Sequence, residues 1–321
     1  MEINRFPLCV GIAAAFLSGC GGSQTPVGAS GAMPEVPSSS AKAGHCKAWM
    51  SAKGDSRNPW LYVADTLDSV IYVYELRKSG AIEIGEITEG LNGPFGEAVD
   101  SAGNLYVANQ NSPGNVVIYA PGKLSPSLTL SQDLEMPQGV AVDASGDVWI
   151  TNRGDNPGIA VFPPGRTEPS AYITNALIQK PIEDFFDGAG NLYFSDPSTG
   201  VSEIPSGSQR VFSLGLQGLT QATGITLAPS GNLYVGDYKN GPHVVRVYTL
   251  GELRPKHDLA GKEGSYYIAD GSIGLSNDIF VGDWASPRVF IYRDGDKHWY
   301  SVIDTPGANA GGVAFKPAGV P

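Results

Sequence analysis

The apolar positions of this chain gather into one short phrase that keeps returning. Leu61-Tyr62-Val63-Ala64-Asp65 recurs as Leu105-Tyr106-Val107-Ala108-Asn109, Val148-Trp149-Ile150-Thr151-Asn152, Leu192-Tyr193-Phe194-Ser195-Asp196, Leu233-Tyr234-Val235-Gly236-Asp237 and Ile279-Phe280-Val281-Gly282-Asp283. The copies begin at residues 61, 105, 148, 192, 233 and 279, a step of 41 to 46 residues. At that period each repeat is a small antiparallel sheet rather than one turn of a solenoid.

The second repeat displays the whole unit. Gly96-Glu97-Ala98-Val99 reads as a strand, Ser101-Ala102-Gly103-Asn104 as a turn, and Leu105 to Asn109 as the next strand. Asn115-Val116-Val117-Ile118-Tyr119 and Ser127-Leu128-Thr129-Leu130 follow, bounded by Gly, Pro and Ser clusters. β-Branched and aromatic residues dominate each run, and no helical period competes. One four-stranded sheet cannot bury both its faces, so six of them pack around an axis. The pattern predicts an all-β, six-bladed β-propeller with four-stranded antiparallel blades. The first copy lacks an opening strand, whereas Gly312-Val313-Ala314-Phe315 matches Gly139-Val140-Ala141-Val142. The C-terminal strand is therefore expected to complete the first blade and close the ring.

Composition agrees, since 42 Gly and 24 Pro suit a chain built of tight turns. The formal charge of −11 argues against nucleic acid, which calls for a basic face. Upstream of the repeats, Arg5 precedes an apolar run from Leu8 to Leu17, the length of a secretion-signal core. Leu17-Ser18-Gly19-Cys20 resembles the bacterial lipobox, which implies lipidation of Cys20. Residues 1–20 then read as a lipoprotein signal, 21–53 as a Gly/Ser/Pro-rich tether, and 54–321 as the propeller. The expected location is outside the cytoplasm, on the periplasmic or cell-surface side of a bacterial membrane, held through the lipid on Cys20. Within the tether, the patch from His45 and Cys46 to Trp49 and Met50 is expected to pack against the domain. Cys46 has no partner cysteine in a chain processed this way.

Repeat logic sorts the remaining chemistry. Asp65, Asn109, Asn152, Asp196, Asp237 and Asp283 stand in every repeat and are expected to hold the turns that follow them. Gly103-Asn104, Gly146-Asp147, Gly190-Asn191 and Gly231-Asn232 mark hairpins that need positive φ. Small residues are expected where inner strands converge, as at Gly96, Gly139, Gly224 and Gly312, and Glu183 and Asp270 depart from that rule. With Asp184 and Glu97 they form either a solvated channel mouth or an acidic funnel suited to a hard cation with oxygen ligands or, through raised carboxylate pKa values, to acid–base work. The loops after the second strands carry Arg153, Tyr238, His243, Trp284 and Arg288 and are expected at one rim, placed to bind partners.

The repeat, written out over Pro137-Gln138-Gly139-Val140-Ala141-Val142-Asp143-Ala144-Ser145-Gly146-Asp147-Val148-Trp149-Ile150, resembles the NHL-repeat and gluconolactonase-like six-bladed propellers. That group includes calcium-dependent lactonases and esterases as well as non-catalytic scaffolds, and its lactonases hold the metal with Glu, Asn and Asp at the inner-strand starts. Glu183 and Asp270 match the acidic members of such a set, and the asparagines are absent. No G-x-S-x-G elbow, P-loop or zinc-like histidine spacing occurs. The sequence thus points to a lipid-anchored envelope scaffold that binds a protein, glycan or small ligand, rather than to an enzyme. The alternative is a calcium-dependent, lactonase-like hydrolase.

Overall fold

The computed structural model describes residues 48–51, 57–238, 243–259, 271–273 and 277–320. They form six antiparallel sheets and, among the described residues, no helix. The six copies of the phrase are the second strands, Trp60–Asp65, Leu105–Asn109, Val148–Asn152, Leu192–Asp196, Asn232–Tyr238 and Asp278–Asp283, of blades 1 to 6. The inner strands of blades 2 to 6 are Pro94–Val99, Pro137–Val142, Asp184–Phe186, Ala222–Leu227 and Gly271–Ile273. Blade 1 takes its inner strand from the C-terminal end: Gly312–Lys316 pairs with Trp60–Asp65 in the register Leu61 to Phe315 and Val63 to Val313. Each inner strand neighbours the next around the ring, and that of blade 6 contacts that of blade 1, so the circle closes.

Continuous apolarity in the phrase follows from this packing. Alternate residues of a strand face opposite sides, and here both sides are seams. Tyr62 and Ala64 pack toward Leu105 and Val107 of blade 2, whereas Leu61 and Val63 pack toward Phe280 and Val289 of blade 6. Four further clusters fill the other four seams. A fully buried Val, Leu or Ile contributes about 1.5–3 kcal/mol, and every blade supplies several to each neighbour.

Both ends of the strands are finished by turn chemistry. Gly103, Gly146, Gly190 and Gly231 adopt φ of 82°, 86°, 83° and 85° in the hairpins joining inner to second strands, which excludes a Cβ without strain. Trp49–Met50, within the stretch expected to be tether, adds a fifth and outermost strand to blade 1 by pairing with Gly80–Ile87. Met50 packs on the seam between blades 1 and 2. Cys20, His45 and Cys46 lie outside the described residues.

Candidate functional site

One face of the propeller carries the starts of the inner strands and the ends of the second strands. The Asp and Asn at those ends do hold loops, but chiefly loops earlier in the chain than expected. Asn152 Oδ1 accepts from the amides of Glu135 and Met136 at 3.0 and 3.1 Å. Asp196 Oδ2 accepts from Gln179 and Lys180 at 2.7 and 2.6 Å, and Asp237 Oδ1 from Thr220 and Gln221 at 2.6 and 2.9 Å. Asn109 accepts from Asn92 at 2.9 Å, and Asp65 from Ala308 and Asn309. In each case the amides belong to the segment leading into the inner strand. The physical reason is that this segment has left the outer strand's ladder and its N–H groups need acceptors. The expected bonds to the following turn also form at Asp65, Asp196 and Asp283, with Asp68, Ser198 and Ala285.

At the axis the inner strands approach backbone to backbone. A Cβ on Gly96 would strike Gln138 O, and one on Gly139 would lie 2.5 Å from Asp184 Oδ1 and 2.6 Å from Ile182 O. The inner-strand register slips at this level in blades 2, 3 and 5, which takes amides out of the ladder. In blade 3 Gly139 N–H donates instead to Thr151 Oγ1 at 2.7 Å, whose own proton goes to Ile182 O of blade 4. In blade 4 Glu183 N–H donates to Ser195 Oγ at 3.1 Å.

Glu97, Glu183 and Asp184 are all buried here, at 5, 2 and 7 % exposure. Glu97 and Asp184 occupy equivalent repeat positions and lean on the glycines of the preceding blades, Gly312 and Gly139. They stand at two separate seams, those of blades 1/2 and 3/4. Among the described residues no group of three or more His, Cys, Asp and Glu is arranged to hold a metal ion. Asp270, the other acid singled out in the sequence, lies outside the described residues, and the axial-cation reading rests on it.

The rim residues do not behave alike. Trp284 turns inward and its ring lies 5.4 Å from that of Phe95, forming with Ile182 a small apolar cluster at the mouth of the axis. Arg288 is exposed and pairs with Asp304 at 3.0 Å. Arg153 and Tyr238 are half-buried, and their amides are fixed to Met136 O and Gln221 O, both at 2.9 Å. His243 opens the third strand of blade 5, and its side chain lies outside the described residues. Two groups that the sequence reading passed over share this face. Gln138 donates to Gln110 Oε1 at 2.7 Å, and Asn309 accepts from Thr66 N at 3.0 Å. Gln138 Oε1 and Asn309 Nδ2 are buried and have no hydrogen-bond partner among the described residues.

The opposite face holds clefts at the seams, with volumes of about 880 Å³ between blades 6 and 1, about 560 Å³ between blades 3 and 4, and about 290 Å³ between blades 2 and 3. The clefts between blades 3 and 4 and between blades 2 and 3 are lined by hairpins that join inner and second strands, and the cleft between blades 6 and 1 by the turn at residues 77–81 of blade 1. A carboxylate clasps those hairpins in blade 2, where Asp100 accepts from Ala102 N, Asn104 N, Asn104 Nδ2 and Tyr106 OH at 2.8–2.9 Å. Asp187 does the same in blade 4, and in blade 5 Asn232 Nδ2 and Tyr234 OH reach Asp294 of blade 6 at 2.8 and 2.7 Å.

The sequence matches no protein-family model and no curated protein.

Proposed function

We propose that this chain is an exported, lipid-anchored β-propeller that acts as a binding scaffold, presenting the face at the inner-strand starts to a protein, glycan or small ligand of the cell envelope. The observation that carries this reading is that two polar atoms buried just beneath that face, Gln138 Oε1 and Asn309 Nδ2, have no hydrogen-bond partner among the described residues. A buried donor or acceptor without a partner costs about 1–3 kcal/mol, which a ligand supplying the complementary group offsets. The loops around them are pinned by Asp65, Asn109, Asn152, Asp196 and Asp237, so little ordering is lost on binding. Membership of the NHL-like group fits the repeat, and anchoring through Cys20 fits the lipobox-like end of the apolar N-terminal run.

Two measurements on the full chain test this. Detergent phase partition should send the wild type to the detergent phase and Cys20→Ser to the aqueous phase; an aqueous wild type sinks the anchor. An array of envelope glycans and small molecules should give a ligand whose binding is lost in Gln138→Met and Arg153→Ala. Binding that survives both substitutions contradicts use of this face. Saturable calcium binding abolished by Glu183→Gln would instead favour the metal-dependent hydrolase.

A further inference from the structure

The hairpin of blade 3 breaks a rule kept in blades 2, 4 and 5, as blade 6 also does with Asp278 and Phe280. Where blades 2, 4 and 5 place Asn104, Asn191 and Asn232, blade 3 has Asp147, and where they place Tyr106, Tyr193 and Tyr234 it has Trp149. The asparagines each donate Nδ2 to a carboxylate. An aspartate cannot. Asp147 instead sets a second negative charge beside Asp143, and among the described residues its carboxylate makes no hydrogen bond or ion pair. Trp149 keeps its part of the clasp, donating Nε1–H to Asp143 Oδ2 at 3.3 Å. The indole therefore preserves the fold while changing what the cleft presents.

Both departures line the same cleft, the one of about 560 Å³ between blades 3 and 4. Among the described residues, Asp143 and Asp147 are the charged residues of its lining, which includes no lysine or arginine. Trp149 meets Phe186 of blade 4 edge to face, with centroids 5.7 Å apart and planes at 83°, so the two half-buried rings stand as adjoining walls of a corner. Serine hydroxyls and Gln209 complete the polar rim, and Val161 and Leu192 the apolar floor.

We propose that this cleft is a binding site for an organic ammonium ion, with the cation held between the Asp147 carboxylate and the face of Trp149 and its alkyl part against the apolar floor. Indole is the strongest of the aromatic cation binders, and a desolvated cation on it gains more than an exposed one. Burial and the charge of Asp143 together push the Asp147 carboxyl above its usual value, the strain that a bound cation relieves. The volume falls within the range of small-molecule sites and far exceeds a bare metal ion. Asp143 already accepts from Ser145 N, Asp147 N and Trp149 Nε1, which leaves too few oxygens for the six to eight ligands of calcium. The site lies on the face opposite the rim and is independent of the scaffold reading above.

The test uses the full chain with choline and its uncharged isostere 3,3-dimethyl-1-butanol, followed by titration calorimetry. Choline should saturate, with the isostere about tenfold weaker or worse. Asp147→Asn restores the repeat residue, so it should fold at least as well as the wild type yet bind choline about tenfold more weakly. Trp149→Tyr should weaken choline by a smaller factor. Equal binding of the two probes, saturation by glucose in place of choline, absence of saturable choline binding, or wild-type affinity in Asp147→Asn would each overturn the proposal. Loss of rim-face binding in Arg153→Ala would leave it intact.

Discussion

Blades 3 and 4 stand side by side and share one design, yet their hairpins carry different clasp partners, Asp147 and Trp149 in blade 3 against Asn191 and Tyr193 in blade 4. In blade 4, Asp187 accepts four hydrogen bonds, from Ala189 N, Asn191 N, Asn191 Nδ2 and Tyr193 OH. In blade 3, Asp143 accepts three, and the side chain at the asparagine position repels it. The same backbone turn forms in both, with Gly190 and Gly146 in matching positive φ. The comparison separates what the turn needs, a glycine and one acceptor, from what it tolerates. A repeat that keeps its shape while giving up a stabilising contact marks a place where selection for folding alone does not explain the residue.

The largest effect should appear where the two blades agree. Asp196 and Asn152 clasp loops in the same way at the other ends of the second strands, so Asp196→Ala and Asn152→Ala should both destabilise. About 3 kcal/mol for the charged acceptor and about 2 kcal/mol for the amide are expected in urea denaturation. A near-zero value for either would remove the clasp from the account.

Smaller effects of opposite sign should follow at the hairpins themselves. Asn191→Asp deletes a donor and adds a charge next to Asp187, and should cost about 1 kcal/mol. Asp147→Asn makes the reverse change in blade 3 and should stabilise by about 0.5 kcal/mol, as a new hydrogen bond to Asp143 replaces repulsion. If both substitutions destabilise, the two hairpins are not interchangeable and the comparison fails.

The smallest effect is a pH dependence. Burial alone would raise the Asp187 carboxyl, but hydrogen bonds from Asn191, Ala189 and Tyr193 outweigh it and hold the group below its usual value. Its stabilisation is therefore full above the unfolded pKa, about 4, and is lost as pH falls through the lower folded value. Asp147 is shifted the other way, raised by burial and by Asp143. Its cost is absent below the unfolded pKa and fully present once pH exceeds the folded value. The stability gained by Asp147→Asn at pH 7 should accordingly shrink as the pH is lowered toward about 4. A gain that grows on acidification would contradict the assignment.

Much of the architecture was legible from residues that recur. The phrase around Tyr62 and its five copies gave the second strands, and the match of Gly312 to Gly139 gave the closing strand, because local β pattern and repeat position carry that information. The partners of Asn152 and Asp196 were not legible, since the amides they hold lie 16 or 17 residues back along the chain and no local pattern joins them. Trp284 is expected on a rim loop placed to bind partners, and its inward contact with Phe95 is not legible because it exists only once the ring has closed. The cleft residues were partly legible. Gly146-Asp147 was read for its turn, and comparison of Asp147 with Asn104 and Asn191 at the same repeat position held the signal of a changed chemistry.

Residues obeying the repeat build this propeller, and on the proposal above the two that break it in the blade 3 hairpin, Asp147 and Trp149, bind. Urea denaturation of the wild type and Asp147→Asn, each with and without saturating choline, tests that claim most directly. The account predicts that the variant is the more stable protein without ligand, and that choline raises the midpoint of the wild type while leaving the variant nearly unmoved. A variant less stable than the wild type, or one that choline stabilises equally, would contradict it.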